Sequence, residues 1–492
     1  MSNTEGLAKG IKHSTLYASG NIARKLVGFV MLPIYTQYLS PSDYGIIGLL
    51  TLSVGLFEIF FGARLLQAVP KFYHSTDNAG ERNLVVSTAL ILTFAVSAIF
   101  TVLLIVSRGP LSEVALGTTG FGMVFGLFAI LLLTGALEEY GLLYLRLRDM
   151  PYTFVILSFM KLVTQLFLNV LLVVYFDWGV LGIATTAAVS SSLFALGLTL
   201  YTLYLTKIRF DKSIAIRQII FCWPLWLGSF AGLYMGSSNR YFLRTFGTLD
   251  DIGLLELAGK FSALLVLFIW HPFMQYWGNE RFQIYYKDPQ TAVFKVVFRA
   301  VTAMMLLVGT AVAIFSQFVI EIMAGSAFHD ASSIVPILVA ATFFSCLASF
   351  VDFGYFVADK TIAISQNLYL TAFVATFFYV VLVPLYGLVG AALGLLFTQI
   401  FRFLVMYVRS KRYYDMNLDL SYLFVLFVLC GFSTYFALGL NYDGHWLIQQ
   451  SVRFLVYFGL VLVVYKIYIR DEESKMYLSE TVNLFTNKLR RK

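Results

Sequence analysis

Eight ionisable residues lie deep within long apolar segments of the sequence. A charge near the centre of a bilayer costs about 2.5–3.5 kcal/mol on insertion scales, so such residues mark functional sites by default. Most of the eight are cations, which favours an anionic cargo, such as a phosphate or pyrophosphate group, over a soluble cation. The sequence therefore predicts a cationic substrate-binding cavity. Its predicted residues are Arg24, Lys25, Arg64, Lys161, Lys260 and Arg402.

The two remaining residues of this set are the carboxylates Glu58 and Asp352. They either bind a coupling ion, H⁺ or Na⁺, or pair with neighbouring cations and fix the packing. Arg24 also has two interpretations, as a residue of the cavity or as a packing residue. It shares one helical face with small and polar residues, which predicts that it lines the cavity, whereas an ion pair with Glu58 on the next helix would make it structural. That face is formed by Tyr17, Gly20, Asn21, Arg24 and Gly28.

Other chemistry finds little support in the sequence. No phosphate-binding Walker loop, HExxH, GxSxG or CxxC cluster occurs in a plausible context, so hydrolysis and ATP-driven transport by this chain alone are not indicated. Cys222, Cys346 and Cys430 all fall inside apolar runs, which suggests neither disulfides nor a metal site. We expect a protein that is not an enzyme and has no cofactor or metal. A channel and a membrane enzyme acting on polyprenyl-linked sugars are the other classes considered.

Composition defines the fold class. Of the 492 residues 59% are hydrophobic and only 13% are charged, and the chain has 47 Phe and 30 Tyr. A soluble protein of this size needs more polar surface, so the chain is a polytopic membrane protein. A β-barrel would alternate apolar and polar residues, whereas 155–176 is apolar nearly all round, so the spans are α-helices.

Apolar runs of about 20 residues predict fourteen transmembrane helices. They lie near 15–36, 45–69, 84–106, 120–143, 153–175, 180–203, 218–239, 253–274, 296–319, 333–356, 361–383, 388–408, 419–439 and 447–468. Basic residues outside these spans fall on one side, except Arg108, Arg240 and Arg244, so both termini are predicted to be cytoplasmic. The net charge of +8 reports this topology, and no nucleic-acid partner is expected. Met1–His13 has no signal-peptide pattern.

An internal repeat is indicated by one recurring offset. Asp251 follows Asp43, and Gly253 follows Gly45, by 208 positions. The same offset relates Gly20 to Gly228, Gly179 to Gly387 and Gly182 to Gly390. It pairs span 1 with span 7, which predicts two parallel six-helix lobes facing one another. The predicted divisions are an N-terminal lobe (1–208), a C-terminal lobe (209–416), helices 13 and 14 (417–470) and a cytoplasmic tail (471–492). Arg24 and Lys25 correspond to Gly232 and Leu233, so these charges belong to the first lobe alone.

The first hairpin carries a family resemblance. Tyr17-Ala-Ser-Gly-Asn, Leu32-Pro33 and Tyr38-Leu-Ser-Pro-Ser-Asp-Tyr-Gly45 resemble the start of polysaccharide transporters, or O-antigen flippases, of the multidrug/oligosaccharidyl-lipid/polysaccharide (MOP) exporter superfamily. Asn239–Gly253 and 386–392 look like the matching stretches of its second lobe.

The resemblance implies a monomeric flippase of the bacterial inner membrane. It would move an undecaprenyl-pyrophosphate-linked oligosaccharide to the outer leaflet by alternating access, for O-antigen or exopolysaccharide synthesis. Membrane lipids, a polysaccharide polymerase and an export complex are the implied partners. Helices 13 and 14 would resemble the pair that forms a lipid-tail groove in lipid II flippases. Arg24 sits where relatives carry a first-helix arginine, whereas Arg64, Lys161 and Arg402 match no family motif. The alternative is a cation-coupled multidrug antiporter of the same superfamily, normally with twelve spans and cavity carboxylates.

Overall fold

The computed structural model describes residues 29–61, 65–288, 292–439 and 446–469. These ranges are helical and contain no β-strand. Their α-helices are α1 (Leu32–Tyr38), α2 (Pro41–Phe61), α3 (Ala68–Tyr73), α4 (Ala79–Val106), α5 (Arg108–Leu116), α6 (Gly122–Leu147), α7 (Pro151–Asn169), α8 (Gly179–Thr206), α9 (Lys212–Phe246), α10 (Leu249–Leu265), α11 (His271–Lys287), α12 (Val293–Met323), α13 (Val335–Phe350), α14 (Phe353–Val357), α15 (Thr361–Lys411), α16 (Leu420–Gly439) and α17 (Trp446–Ile469). Short π-helical turns extend α7 over Val170–Tyr175 and join α10 to α11 over Val266–Trp270.

Many helices of the described chain are long enough to span a membrane. By length and apolar composition, eleven helical segments in the described ranges are able to cross a membrane, or twelve if α9, bent by 41°, counts as one span. The all-helical, multi-span fold predicted from composition is confirmed. The number fourteen stays a prediction, because most of the span predicted at 15–36 lies outside the described residues.

The long helix α15 covers two predicted spans. A straight helix of its 51 residues would measure about 77 Å, more than twice the thickness of a bilayer's hydrocarbon core. The backbone breaks at Gly387, where φ is 52° and ψ is −125°, three residues after Pro384. Glycine takes this left-handed conformation without a Cβ penalty. The break falls between the spans predicted at 361–383 and 388–408.

One predicted span differs clearly from the structure. The segment predicted at 45–69 forms a helix that already starts at Pro41 and ends at Phe61. It starts early because proline suits the first turn of a helix, where its missing N–H is not needed. Beyond it, Leu65–Gln67 forms a 3₁₀ turn and Ala68–Tyr73 the short helix α3.

The two turns related by the 208-residue offset have the same hydrogen bonds. Before α2, the backbone N and the Oγ of Ser40 donate to Asp43 Oδ2 at 2.9 and 2.8 Å, and Asp43 N donates back to Ser40 Oγ at 3.2 Å. Before α10, Thr248 and Asp251 repeat these bonds at 3.0, 2.8 and 3.1 Å. Each pair forms a capping box that satisfies N–H groups at the start of a helix.

The starts of α2 and α10 also contact each other reciprocally. A Cβ on Gly253 would overlap the carbonyl of Pro41, 2.6 Å from its carbon. A Cβ on Gly45 would overlap the carbonyl of Leu249, 3.1 Å from its carbon. Because Gly45 and Pro41 correspond to Gly253 and Leu249 at the predicted offset, the contact is that of a local two-fold arrangement. This local match supports the predicted repeat of whole lobes, which stays a prediction.

The described chain forms two compact units. The first extends to Glu256 and also takes in Tyr379–Ala391, and the second comprises Leu257–Phe378 and the chain from Ala392 onward. In the first unit, α6 packs along α4 and α8. In the second, α12 packs against α13, α16 and α17. The lobe boundaries predicted at 208 and 416 rest on the sequence offset alone and stay predictions.

The glycine contact predicts opposite effects for two substitutions on α10. Gly253→Ala places a methyl group against the rigid Pro41 backbone, so we expect a loss of about 1–3 kcal/mol of stability. Gly259→Ala is the matched control, because nothing lies within 4 Å of a Cβ there and alanine favours a helix over glycine by up to about 1 kcal/mol. Thermal unfolding of the detergent-solubilised protein checks both. Equal melting temperatures for the two variants would contradict the close contact.

Candidate functional site

In the first unit, the predicted cavity residue Lys161 belongs to an ion pair. Its ammonium on α7 pairs with the carboxylate of Glu138 on α6, and Ser191 Oγ on α8 donates to the same carboxylate oxygen at 3.2 Å. Glu138 is 5% exposed, so the pair is shielded from the surroundings. Most of α7 faces outward, with Ile156, Phe159, Met160, Val163 and Phe167 exposed. The pair therefore holds α7 against α6 and α8.

A second ion pair links α9 and α10. Arg240 Nε donates to Glu256 Oε1, and both side chains are largely buried. On α2, a Cβ at Gly48 would lie 2.6 Å from Glu256 Oε1, so the α2 backbone covers this carboxylate closely. The positive charge of Arg240, which the sequence placed outside the spans, is thus compensated within the first unit.

In the second unit, Asp352 pairs with an arginine. Arg281 Nη1 on α11 donates to Asp352 Oδ1 at 3.0 Å. The Arg281 guanidinium also lies over the rings of Phe353, Phe282 and Phe356, with its Cζ 5.1, 5.5 and 5.3 Å from the ring centroids. An arginine that is held over aromatic faces and is only 6% exposed needs a carboxylate partner. Of the two interpretations left open for Asp352, the geometry favours charge pairing.

Arg402 on α15 lies near the same carboxylate. Its Nη1 is 3.4 Å from Ser345 Oγ on α13, and its charge acts electrostatically on Asp352. Arg402 makes no ion pair of its own within the described ranges, and its Nε, like that of Arg281, has no hydrogen-bond partner there. Arg281 thus bonds directly to the carboxylate and Arg402 interacts with it only at longer range, which leaves this group of side chains with an excess positive charge.

Two further buried arginines, like Arg281, were not among the predicted site residues. Arg453 on α17 is 1% exposed. It donates from Nη2 to Gln317 Oε1 of α12 at 2.9 Å and from Nε to the Ala437 carbonyl of α16 at 3.3 Å. Arg299 on α12 lies over the ring of Tyr422, and its Nη1 is 3.9 Å from Asp419 Oδ2. A charge inside a predicted span was the available signal for Arg453. These contacts fasten α16 and α17 to α12.

The predicted site residues are only partly placed. Arg24, Lys25 and Arg64 lie outside the described residues. Lys161 belongs to the first unit, and Lys260 and Arg402 belong to the second. Glu58 on α2 and Lys260 on α10 are partly buried, and both interact with other residues. Whether these six cations line one cavity stays a prediction.

Comparison with solved structures shows which known fold the chain has. The lipid II flippase MurJ, in an inward closed conformation, matches with a TM-score of 0.72 and 12% identity, over 94% of this chain and 99% of the flippase. An inward-facing multidrug resistance MATE transporter of the MOP superfamily matches with a TM-score of 0.56 and 16% identity, over 81% and 94% of the two chains. A mutant of the Vibrio cholerae MATE transporter VcmN gives 0.55 and 13%, over 82% and 96%. The chain thus has the multi-span fold of the MOP superfamily.

The family follows from the sequence itself. The family model described as "Polysaccharide biosynthesis protein" matches residues 11–276, which is more than half of the 492 residues. The chain belongs to the polysaccharide biosynthesis protein family, and the resemblance noted in the first hairpin is confirmed. Comparison with curated proteins finds no match.

The Glu138–Lys161 pair predicts a non-additive loss of stability. Glu138→Gln or Lys161→Met alone leaves one buried charge without its partner, which costs about 3–5 kcal/mol. The double variant removes both charges and should recover much of that loss. Thermal unfolding of the wild type, the two single variants and the double variant measures these losses. If Lys161→Met keeps wild-type stability and abolishes only transport, Lys161 lines the cavity as predicted and is not a packing residue.

Asp352 permits a test that separates pairing from ion coupling. Asp352→Asn leaves Arg281 without its carboxylate, so we expect a lower melting temperature, partly restored by adding Arg281→Met. Asp359→Asn is the matched control, because Asp359 is exposed on the loop before α15. A stable Asp352→Asn protein whose transport no longer responds to H⁺ or Na⁺ would contradict the pairing role and favour ion coupling.

Proposed function

We propose that this protein is a flippase for a polyprenyl (undecaprenyl) pyrophosphate-linked oligosaccharide. It carries the oligosaccharide from the cytoplasmic to the outer leaflet of the bacterial inner membrane by alternating access, for surface or exopolysaccharide synthesis. The observation that carries the proposal is the family match over residues 11–276. Membership of a polysaccharide biosynthesis family, combined with a transporter fold, favours moving a glycan intermediate over making or cleaving one.

The extent of the structural likeness supports a flippase over a drug antiporter. The lipid II flippase covers 94% of this chain, whereas the two MATE transporters cover 81% and 82%. A substantial part of the chain thus has its counterpart in the flippase and lies beyond the MATE match. A longer matched chain of this kind suits a cargo that brings a long lipid chain with its sugars.

A groove in the second unit suits that chain. A cavity of about 390 Å³ lies among α12, α13 and α16, with Leu396 of α15 also in its wall. Its lining is mainly apolar, including Met305, Leu306, Ile337, Val339, Phe343, Phe427 and Leu438. The volume is within the usual range of ligand pockets, about 300–1,000 Å³. We assign this groove to part of the isoprenoid chain.

The charges of the site suit the pyrophosphate. Lys161, Arg240 and Arg281 each have a carboxylate partner, whereas Arg402 shares Asp352 with Arg281. Among the predicted cavity residues, we therefore assign Arg402 to the pyrophosphate, and Arg24 and Lys25 of the first span remain predicted ligands of the same group. An arginine binds phosphate oxygens through two parallel N–H groups, which a lysine cannot do. Coupling to H⁺ or Na⁺ and cooperation with a polymerase belong to the same proposal.

The proposal predicts a block in glycan export when Arg24 is replaced. Cells carrying Arg24→Ala should lose most surface glycan and accumulate the lipid-linked intermediate, and Arg24→Lys should keep partial export, because it preserves the charge. Lys212→Ala is the control, an exposed basic residue at the first position of α9. Protein levels in the membrane are measured in parallel. Normal export in both Arg24 variants, or drug sensitivity without a glycan defect, would contradict the proposal.

A further inference from the structure

Besides the groove in the second unit, the protein has an apolar cavity of about 400 Å³ in the first unit. Its wall is formed by α2, α5, the start of α6 and α9. It opens to the surroundings beside Val114 of α5 and Tyr241 of α9, which are 76% and 58% exposed. The lining residues are Leu49, Leu52, Ser53, Leu56, Phe57, Leu111, Val114, Ala115, Phe125, Phe230, Tyr234, Ser238 and Tyr241. A cavity with this lining takes a hydrocarbon chain more readily than water.

One hydroxyl in this wall has no partner. Ser238 is 4% exposed, and its Oγ makes no hydrogen bond to any described residue. A buried hydroxyl without a partner costs free energy, because it loses its hydrogen bonds to water. Ser53, in the same wall, avoids the cost by bonding to the carbonyl of Leu49, four residues earlier, at 2.8 Å. Ser238 Oγ is therefore available to donate to a ligand in the cavity.

An arginine lies one helical turn beyond the lining residue Tyr241. Arg244 follows Tyr241 by three residues and so lies on the same face of α9. Its guanidinium packs over Gly117, directly after α5, where a Cβ would collide with Nη2. Within the described ranges Arg244 makes no ion pair, and its buried Nε has no hydrogen-bond partner. A cation with unused donors thus stands beside an apolar cavity with an unused hydroxyl donor inside.

We propose that this cavity binds one glycerophospholipid of the surrounding membrane. One acyl chain fills the apolar part between α2 and α9, an ester carbonyl accepts from Ser238, and the phosphate lies at Arg244. Six residues separate Ser238 from Arg244, a rise of about 9 Å along the helix. The arginine side chain reaches back over part of that rise. The ester is the group that distinguishes this ligand, because a polyprenyl phosphate has no carbonyl to accept from Ser238.

The lining residues of this cavity are different from the residues assigned to the cargo. Its residues belong to the first unit, whereas the groove assigned to the isoprenoid chain belongs to the second. The lipid would fill the space among α2, α5 and α9 and fasten the short helix α5 to the bundle. A membrane lipid site of this kind holds whether the cargo is a glycan or a drug.

The experiment measures lipid retention and lipid-dependent stability in the purified full chain. Wild-type protein in mild detergent should retain about one phospholipid per chain in native mass spectra. After delipidation, added phosphatidylglycerol should raise its melting temperature. Arg244→Gln should weaken this response about tenfold in lipid concentration, as expected for one lost charge-assisted contact. Ala115→Phe, which fills the cavity, should abolish retention, and Lys212→Gln at the other end of α9 should change nothing.

Two further probes decide the ligand chemistry. Diacylglycerol with the same chains lacks the phosphate and should stabilise the protein far less than phosphatidylglycerol. Ser238→Ala should weaken phosphatidylglycerol binding several-fold and leave undecaprenyl phosphate binding unchanged. If Arg244→Gln fails to fold, Ala115→Phe and Ser238→Ala still decide. Retention that survives Ala115→Phe, equal binding of diacylglycerol, or stronger binding of undecaprenyl phosphate than of phosphatidylglycerol would each overturn the proposal.

Discussion

The cost of placing charge in hydrocarbon governs this structure more than any other constraint. Lys161, Arg240 and Arg281 each meet a carboxylate on a neighbouring helix, and Arg453 meets an amide and a carbonyl. Each contact joins two different elements, either consecutive helices, as for Lys161 and Arg240, or segments distant in sequence, as for Arg281, so each charge also fixes the packing. Arg402 departs from this pattern, because it shares the carboxylate of Asp352 with Arg281. A partly compensated cation is what binding of an anionic cargo requires.

The sequence predicted the features that depend on local chemistry. Span positions follow from apolar length, so 153–175 and 447–468 came within a few residues of the helices observed at Pro151–Tyr175 and Trp446–Tyr468. The offset that relates Asp43 to Asp251 also relates two turns that have the same hydrogen bonds in the structure, although the sequence analysis did not predict these bonds. Their reciprocal contact could not be predicted, because it depends on how α2 and α10 cross in space.

Long-range pairing was the part that sequence could not supply. Lys161 was predicted to line the cavity, and Glu138 falls within the span predicted at 120–143, yet nothing in the sequence shows that these two side chains face each other. Arg281 was counted as a loop cation because it lies beyond an apolar run, whereas the aromatic rings around it bury it. Of the predicted cavity cations, Lys161 makes an ion pair that holds helices together, whereas Arg402 makes no ion pair of its own within the described ranges. Only three-dimensional contacts separate them.

The account depends on whether the protein moves a lipid-linked glycan. The most direct measurement uses the purified protein in liposomes containing an undecaprenyl-pyrophosphate-linked oligosaccharide, with a membrane-impermeant glycosidase outside. If the protein is a flippase, the glycosidase should cleave nearly all of the lipid-linked oligosaccharide, including that of the inner leaflet, at a rate that rises with protein content. Cleavage that stops at the outer leaflet, as in protein-free liposomes with the same ion gradient, would contradict it.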